Sequence, residues 1–209
     1  MYDALMFDLD GTLIDSESLA VASGLAAFAE AGFPVDLDFM HRLVGISGAG
    51  SVAIIRARHP AIAMDRLDAL WRRGFQASVQ TSLTLKPGVT ELLSHSPHLP
   101  RVLVTSSRRV EAHAKLAQVG LGQSFAHVVT VDDVTRPKPE PEAYLLAASL
   151  LGVSPARCLV FEDSEAGSEA AHRAGCVVVQ VPDVVPSRGK WAHHLAVDLM
   201  SGARAAGLV

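Results

Sequence analysis

Cysteine is nearly absent: Cys158 and Cys176 are the only two in 209 residues. Neither C-x-x-C nor zinc-type spacing is present, which excludes a disulfide-stapled small fold and a thiolate metal centre. Each adjoins an apolar run, 158–161 and 177–181, so both read as buried reduced thiols, with a disulfide left open. Positive charge is also scarce. The formal net charge is −4 and no Lys/Arg-rich block occurs, which argues against a nucleic-acid partner. No apolar stretch is long enough to span a bilayer and no secretory h-region is found, so no membrane partner and a cytoplasmic location are expected. Absent, too, are H-E-x-x-H and G-x-S-x-G, leaving zinc-protease and serine-hydrolase chemistry without support. Against these gaps, 49% hydrophobic and 19% charged residues describe an ordinary globular chain with a sizeable core.

Asp8-Leu9-Asp10-Gly11-Thr12 follows the apolar run 4–7, which reads as a short buried strand. Gly11 breaks the strand and pushes both acids out at its carboxyl end, where open α/β sheets bind ligands. Two carboxylates spaced two residues apart suit a nucleophile with an acid/base beside it, and phosphoryl transfer through an aspartyl phosphate is one established use of a carboxylate nucleophile. Such a site repels an anionic substrate, so a divalent metal and at least one cationic side chain are required.

Three further segments supply these needs. The run 101–104 ends in Thr105-Ser106-Ser107, hydroxyls and amides able to hold a phosphate ahead of a helix predicted over 108–119. Lys138 lies between prolines in Arg136-Pro137-Lys138-Pro139-Glu140-Pro141, where the backbone is restrained. The run 158–161 leads directly into the acidic pair Glu162-Asp163. Taken singly, each has a blander meaning: a capped turn, a helix N-cap, a solvated lysine, helix-start acids. Their joint order favours the functional meaning.

In this order the four segments resemble the haloacid dehalogenase superfamily, in its phosphatase-type branch with a small helical cap. The resemblance implies Asp8 as nucleophile and Mg2+ ligand, with Asp10 as general acid/base that also lends its main-chain carbonyl to the metal. It implies Thr105 and the Ser106 N–H as phosphate holders and Lys138 as the cation that neutralises Asp8 and the phosphate together. Asp163, with Glu162 alongside, would complete the metal shell directly or through water. Mg2+ suits such hard oxygens.

Strand-like and helical stretches alternate after residue 85, predicting strands near 4–8, 101–105, 127–131, 158–162 and 177–181, with a further short one at 195–197. Between them helices are expected near 88–96, 108–119, 140–151 and 164–174. Residues 16–84 read as helical: Val21, Leu25 and Phe28 at i, i+4, i+7, a piece over 51–58, and Leu67, Trp71, Phe75 and Val79 every four residues. The expected fold class is therefore α/β, a doubly wound, mostly parallel Rossmann-like core (1–15 and 85–209) with an inserted small α-helical cap (16–84). Hinges are expected at Asp15 and 83–86.

Gly48-Ala49-Gly50-Ser51-Val52-Ala53 matches a dinucleotide fingerprint but lacks the preceding strand, and its small residues are expected to shape a cap turn. His193 and His194 read as surface or tail residues. Within the resembled family, Asp10 disfavours a dehalogenase, since a halide leaves without a proton. The absence of lysine from 16–83 disfavours phosphonate cleavage through a cap Schiff base. A β-phosphoglucomutase-like sugar-phosphate mutase is weakened by Ala20 and Gly48, where basic or histidine residues are expected. The reading is thus a Mg2+-dependent phosphatase of small phosphorylated metabolites, sugar phosphates first and phosphoglycolate second, acting as a monomer or weak homodimer. Glu17, Gly45, Ser47 and Gly48 are candidate substrate contacts in the cap, with His41, Arg42 and Arg56 as further ones. A non-catalytic receiver-like module remains as an alternative of another class; such modules carry adjacent acids after their first strand and no helical insert.

Overall fold

Six parallel strands, Ala4–Phe7, Arg101–Val104, His127–Val129, Cys158–Glu162, Val177–Gln180 and His194–Leu195 (β1 to β6), pair in the order β3-β2-β1-β4-β5-β6. The computed structural model describes residues 1–44, 46 and 48–209; Gly45 and Ser47, singled out above, lie outside the described residues. The chain divides into two compact units, Met1–Asp15 with Thr84–Val209, and Ser16–Leu83.

In the first unit, β1 is buried along its whole length, as a central parallel strand covered on both faces must be. Ala4, Met6, Val102, Val104, Val160 and Val178 share one face. They pack against Ala143, Tyr144, Ala147 and Ala148 of α7 (Glu142–Leu151) and Ala170 and Ala171 of α8 (Glu165–Arg173). Helical alanines let these helices approach the sheet closely. Phe7 and Phe161, neighbours in the β1–β4 register, stack at 5.2 Å. Val89–His95 (α5) and Arg109–Gln118 (α6) complete the alternation.

β1 sits where the sheet order reverses: β2 and β3 extend to one side, β4 to β6 to the other. Crossover helices diverge at such a point and leave a crevice above the carboxyl ends. Asp8 follows β1, Thr105 follows β2 and Glu162 ends β4, so three of the four sequence segments reach that crevice by topology alone. After β1 the chain turns tightly: Leu13 and Ile14 N–H groups donate to Leu9 O, and Gly11 N–H to Ile14 O. Ile14 then pairs antiparallel with Leu85, while Asp15 N–H donates to Thr84 O and Lys86 N–H to Leu13 O. The two passages between the units are thus tied side by side on the core.

The second unit holds α1 (Ser16–Glu30), α2 (Leu37–His41), α3 (Gly48–Arg58) and α4 (Met64–Ser82) around Phe28, Phe39, Met40, Ile55 and Leu67. Phe28 meets Phe39 edge-on at 5.8 Å, and the Trp71 indole N–H donates to Ala20 O at 2.9 Å. A cavity of about 150 Å³ in this unit is lined by Glu17, Ala20, Val21, Met40, Val44 and Trp71, among others.

Several expectations are corrected. Gly48 to Ala53 opens α3 rather than forming a turn, and that helix starts three residues before the expected Ser51. The last strand is His194–Leu195, because register with Val179 and Gln180 places it there. His193 is exposed, as a surface residue is expected to be, but it is held in place: its Nδ1 accepts from Val178 N–H and its ring stacks on His172. The short helices α2 and α9 (Leu199–Ala205) were not expected. Both cysteines are buried and free, burial pushing Cys158 up to about 11 and Cys176 up to about 12. Among the described residues no helix is long and apolar enough to cross a membrane.

Candidate active site

Lys138 is the centre of the site. Its ammonium donates to Asp8 Oδ1 at 2.7 Å, Glu162 Oε1 at 2.6 Å and Val104 O at 2.9 Å, using all three protons. The acceptors stand at the ends of β1, β4 and β2, so one side chain ties together the three strands flanking the switch point. The side chain is 6% exposed and also lies over the Tyr144 ring at 5.1 Å.

Glu162 is wholly buried and both its oxygens are engaged. Oε1 also accepts from Tyr144 Oη at 2.6 Å, and Oε2 from the Ser164 hydroxyl at 3.1 Å. Burial, then Glu162 itself, keeps the Tyr144 phenol well above its ordinary value, so it remains a donor. Glu162 therefore anchors Lys138. Space is made for it by Gly167, where a Cβ would lie 1.8 Å from Oε1. Gly167→Ala is expected to displace the Glu162–Lys138 pair, costing about 1–3 kcal/mol of stability as an overpacked core does. A lowered urea midpoint together with lost activity would be the reading; an unchanged midpoint would refute the tight contact.

Asp8 is 7% exposed. Burial pushes its carboxyl up to about 8 against the pull of Lys138, with Glu162 and Asp10 adding to the rise. Burial works to lower Lys138, yet Asp8 and Glu162 together hold it above the ordinary lysine value. Asp163, one residue after β4, receives the Thr12 hydroxyl at 3.4 Å, and its carbonyl accepts from Gln180 Nε2 at 3.1 Å. Gly11 allows this approach: its φ is +82°, and a Cβ there would come 2.4 Å from Asp163 Oδ2.

Oxygens of Asp8, Glu162 and Asp163 all lie within 4.8 Å of one another. Glu162 is committed to four donors, the ammonium of Lys138, the Tyr144 hydroxyl and the hydroxyl and N–H of Ser164, so Asp8 and Asp163 are the better candidates for the hard oxygen donors a divalent cation takes. The surplus of three carboxyls over one ammonium also demands positive charge.

Asp10 faces different partners. Its Oδ1 accepts from Lys115 Nζ at 2.7 Å and its Oδ2 from the Ser107 hydroxyl at 2.7 Å; Lys115 also reaches Ser107 Oγ at 3.2 Å. Thr105 is buried and its Oγ1 accepts from Ser107 N–H at 3.0 Å, whereas Ser106 is exposed beside it. Ser107 thus serves Asp10, and α6 begins after Arg108 with no side-chain cap. The second unit holds Glu17 on α1 at its cavity and Gly48, exposed, at the start of α3.

Sequence reasoning missed Lys115, Ser107 as a partner of Asp10, Tyr144 and Ser164. Lys115 was detectable: with Ala112 and Leu116 it falls on the apolar stripe of α6, where an unpaired lysine would not be tolerated.

A carboxylate crevice at the switch point of a parallel sheet, gripped by a buried lysine, defines a class of acid-based hydrolases. The family description of haloacid dehalogenase-like hydrolases matches residues 2–175, and the chain belongs to that family. It is 37% identical over 191 residues to hexitol phosphatase A of Escherichia coli strain K12, covering 84% of this chain and 81% of that protein. It is 32% identical over 187 residues to fructose-1-phosphate phosphatase YqaB of the same organism, covering 86% and 96%. Among solved structures, a HAD family hydrolase of Deinococcus radiodurans R1 with bound phosphate and sodium superposes at a TM-score of 0.85 with 27% identity, covering 100% and 97%.

Proposed function

We propose that this phosphoric monoester hydrolase is a Mg2+-dependent phosphatase of small phosphorylated sugars and related metabolites, acting through an aspartyl phosphate on Asp8 with Asp10 as general acid and base. The observation that carries it is the convergence on one end of the sheet of Asp8 with Lys138, 130 residues later in the sequence, and with Asp163. Relatives named for fructose-1-phosphate and hexitol phosphates support the substrate class.

An Asp8 carboxylate oxygen attacks phosphorus in line with the ester oxygen. The P–O bond to the alcohol breaks, its electron pair goes to the alcohol oxygen, and Asp10 supplies the proton. A water then attacks the acyl phosphate, gives its proton to Asp10, and returns the electron pair to Asp8. Thr105 and the Ser106 N–H hold the phosphoryl oxygens, and the charge of Lys138, held against Asp8, offsets theirs. Asp8, Asp163 and the Asp10 carbonyl are the residues that would hold Mg2+, which supplies charge neutralisation at the transferring group. Enzymes of this class face accelerations of up to about 10²¹-fold, whereas general acid/base work contributes ~10²–10⁴. Positioning and charge must therefore carry most of the rate. Glu17, which lines a cavity of the second unit, is our candidate for choosing among substrates.

A phosphate-release panel of sugar phosphates, hexitol phosphates and phosphoglycolate, with Mg2+ and with EDTA, tests this. Release from a sugar or hexitol phosphate that EDTA reduces at least about 10²-fold is expected, on the scale of losing a charge-stabilising group. Metal-independent release would overturn it, and conversion of a sugar 1-phosphate to its 6-phosphate without net release would point to a mutase.

A further inference from the structure

We propose that Lys115 is a positioning residue for the reaction: with Ser107 it fixes the carboxyl of Asp10 in the orientation from which a proton reaches the leaving oxygen. This rests on the phosphatase reading and adds to it a residue outside the four sequence segments. Lys115 is 9% exposed although it sits in the last turn of a ten-residue helix whose outer face is open to solvent. A buried ammonium is costly unless paired, so a helix that needed only to pack would carry leucine or alanine there, as it does at Leu116 and Ala112. The ammonium instead closes a three-membered ring with Ser107 Oγ and Asp10, at 2.7, 2.7 and 3.2 Å.

The geometry has two consequences. Both Asp10 oxygens are held, one by each partner, so the carboxyl plane cannot rotate. The Asp10 side chain is 27% exposed, against 11% for Lys115, which leaves the acid open to the crevice and the lysine behind it. Ser107 is itself fixed through its N–H to Thr105 Oγ1, coupling the orientation of the acid to the strand end that is to hold the phosphate.

Lys115→Met preserves length and fills the same space without the charge. Its effect should depend on the leaving group. On an alkyl phosphate such as glycerol phosphate, where the departing alkoxide needs a proton, kcat is expected to fall about 10²-fold with KM changed less than about threefold. On p-nitrophenyl phosphate the first-turnover burst of nitrophenolate is expected to fall less than about threefold, because that group leaves without a proton. Lys115→Arg should restore part of the alkyl rate. In an Asp10→Asn background, Lys115→Met should add little, since it acts through the missing group. Equal losses on both substrates, or an additive loss in the Asp10→Asn background, would reduce Lys115 to a structural role. Should Lys115→Met not fold, Lys115→Gln carries the same comparison. Failure of the phosphatase reading would look different: the parent enzyme would release phosphate from neither substrate, or would do so with Asp8 replaced.

Discussion

Asp8→Asn is expected to abolish phosphate release and, at the same time, to flatten the dependence of stability on pH. The amide still accepts a hydrogen bond from Lys138, which holds Asp8 Oδ1 at 2.7 Å, so the site keeps its shape. It cannot attack phosphorus, and losses on the order of 10⁴-fold or more accompany removal of a covalent nucleophile. The stability effect follows from proton linkage. The carboxyl starts from 3.8 in the unfolded chain and is pushed up to about 8 by burial in the folded one. Between those values the native state keeps a proton that the unfolded state has released. Stability contributed by this group is therefore full below about 4 and declines as pH rises toward 8, at up to about 1.4 kcal/mol per pH unit. The direction for Asp8 follows from two buried carboxyls, its own and that of Glu162, sharing a single ammonium. Adding a divalent cation should replace that proton and remove the slope. Melting curves from pH 5 to 8, with and without metal, check the linkage; a parent and variant with the same slope would contradict it, and retained turnover would refute the nucleophile.

The strands that carry this site were legible because burial leaves a simple mark. β1 and β4 are apolar at every position up to the acids that end them, and the acids have no reason to follow such runs except turn or site chemistry. Lys138 was legible through its prolines. Lys115 was overlooked although detectable, because a lysine in a helix with Glu111 and Gln118 nearby reads as a solvated face until its register with Ala112 and Leu116 is noticed. Tyr144 hid inside an apolar helix, its hydroxyl having meaning only once β4 delivers Glu162. The helix α9 escaped for another reason. Its capping box, Asp198 with Ser201, is a usable start signal, but seven residues give too few turns for periodicity to register. Gly48 and Gly50 disguised the start of α3, since glycine is a poor helix former and suggested a turn. Glu17, a candidate from the sequence, borders a cavity lined also by Met40 of α2 and Trp71 of α4, surroundings that come from packing between helices and leave no mark in the local sequence pattern.

Lys138→Met separates what this lysine does for the fold from what it does for the chemistry. Removing the ammonium leaves Asp8 and Glu162, 7% and 0% exposed, facing each other without a cation. Breaking a buried pair in this way costs about 3–5 kcal/mol, a large share of the roughly 5–15 kcal/mol that holds a domain folded. The loss should be relieved by a second change, Glu162→Gln, which removes one negative charge while its amide oxygen keeps an acceptor for the Tyr144 hydroxyl, at 2.6 Å, and its amide N–H2 donates to the Ser164 hydroxyl, which can turn to accept. Asp8 can then remain neutral by holding its own proton. Activity should not return with stability. The transferring phosphoryl group would still lack the cation placed against Asp8, a loss of ~10³-fold or more on the scale of preorganised charge stabilisation. Divalent metal should also raise the melting temperature of Lys138→Met by more than it raises that of the parent, because the ion answers a larger excess of negative charge. Denaturant midpoints and phosphate release on the three proteins decide the matter. If the double variant stayed as unstable as the single one, the cost would lie in lost packing against Tyr144 rather than in charge. If it regained activity, the lysine would be a scaffold for Glu162 and not the cation of the reaction.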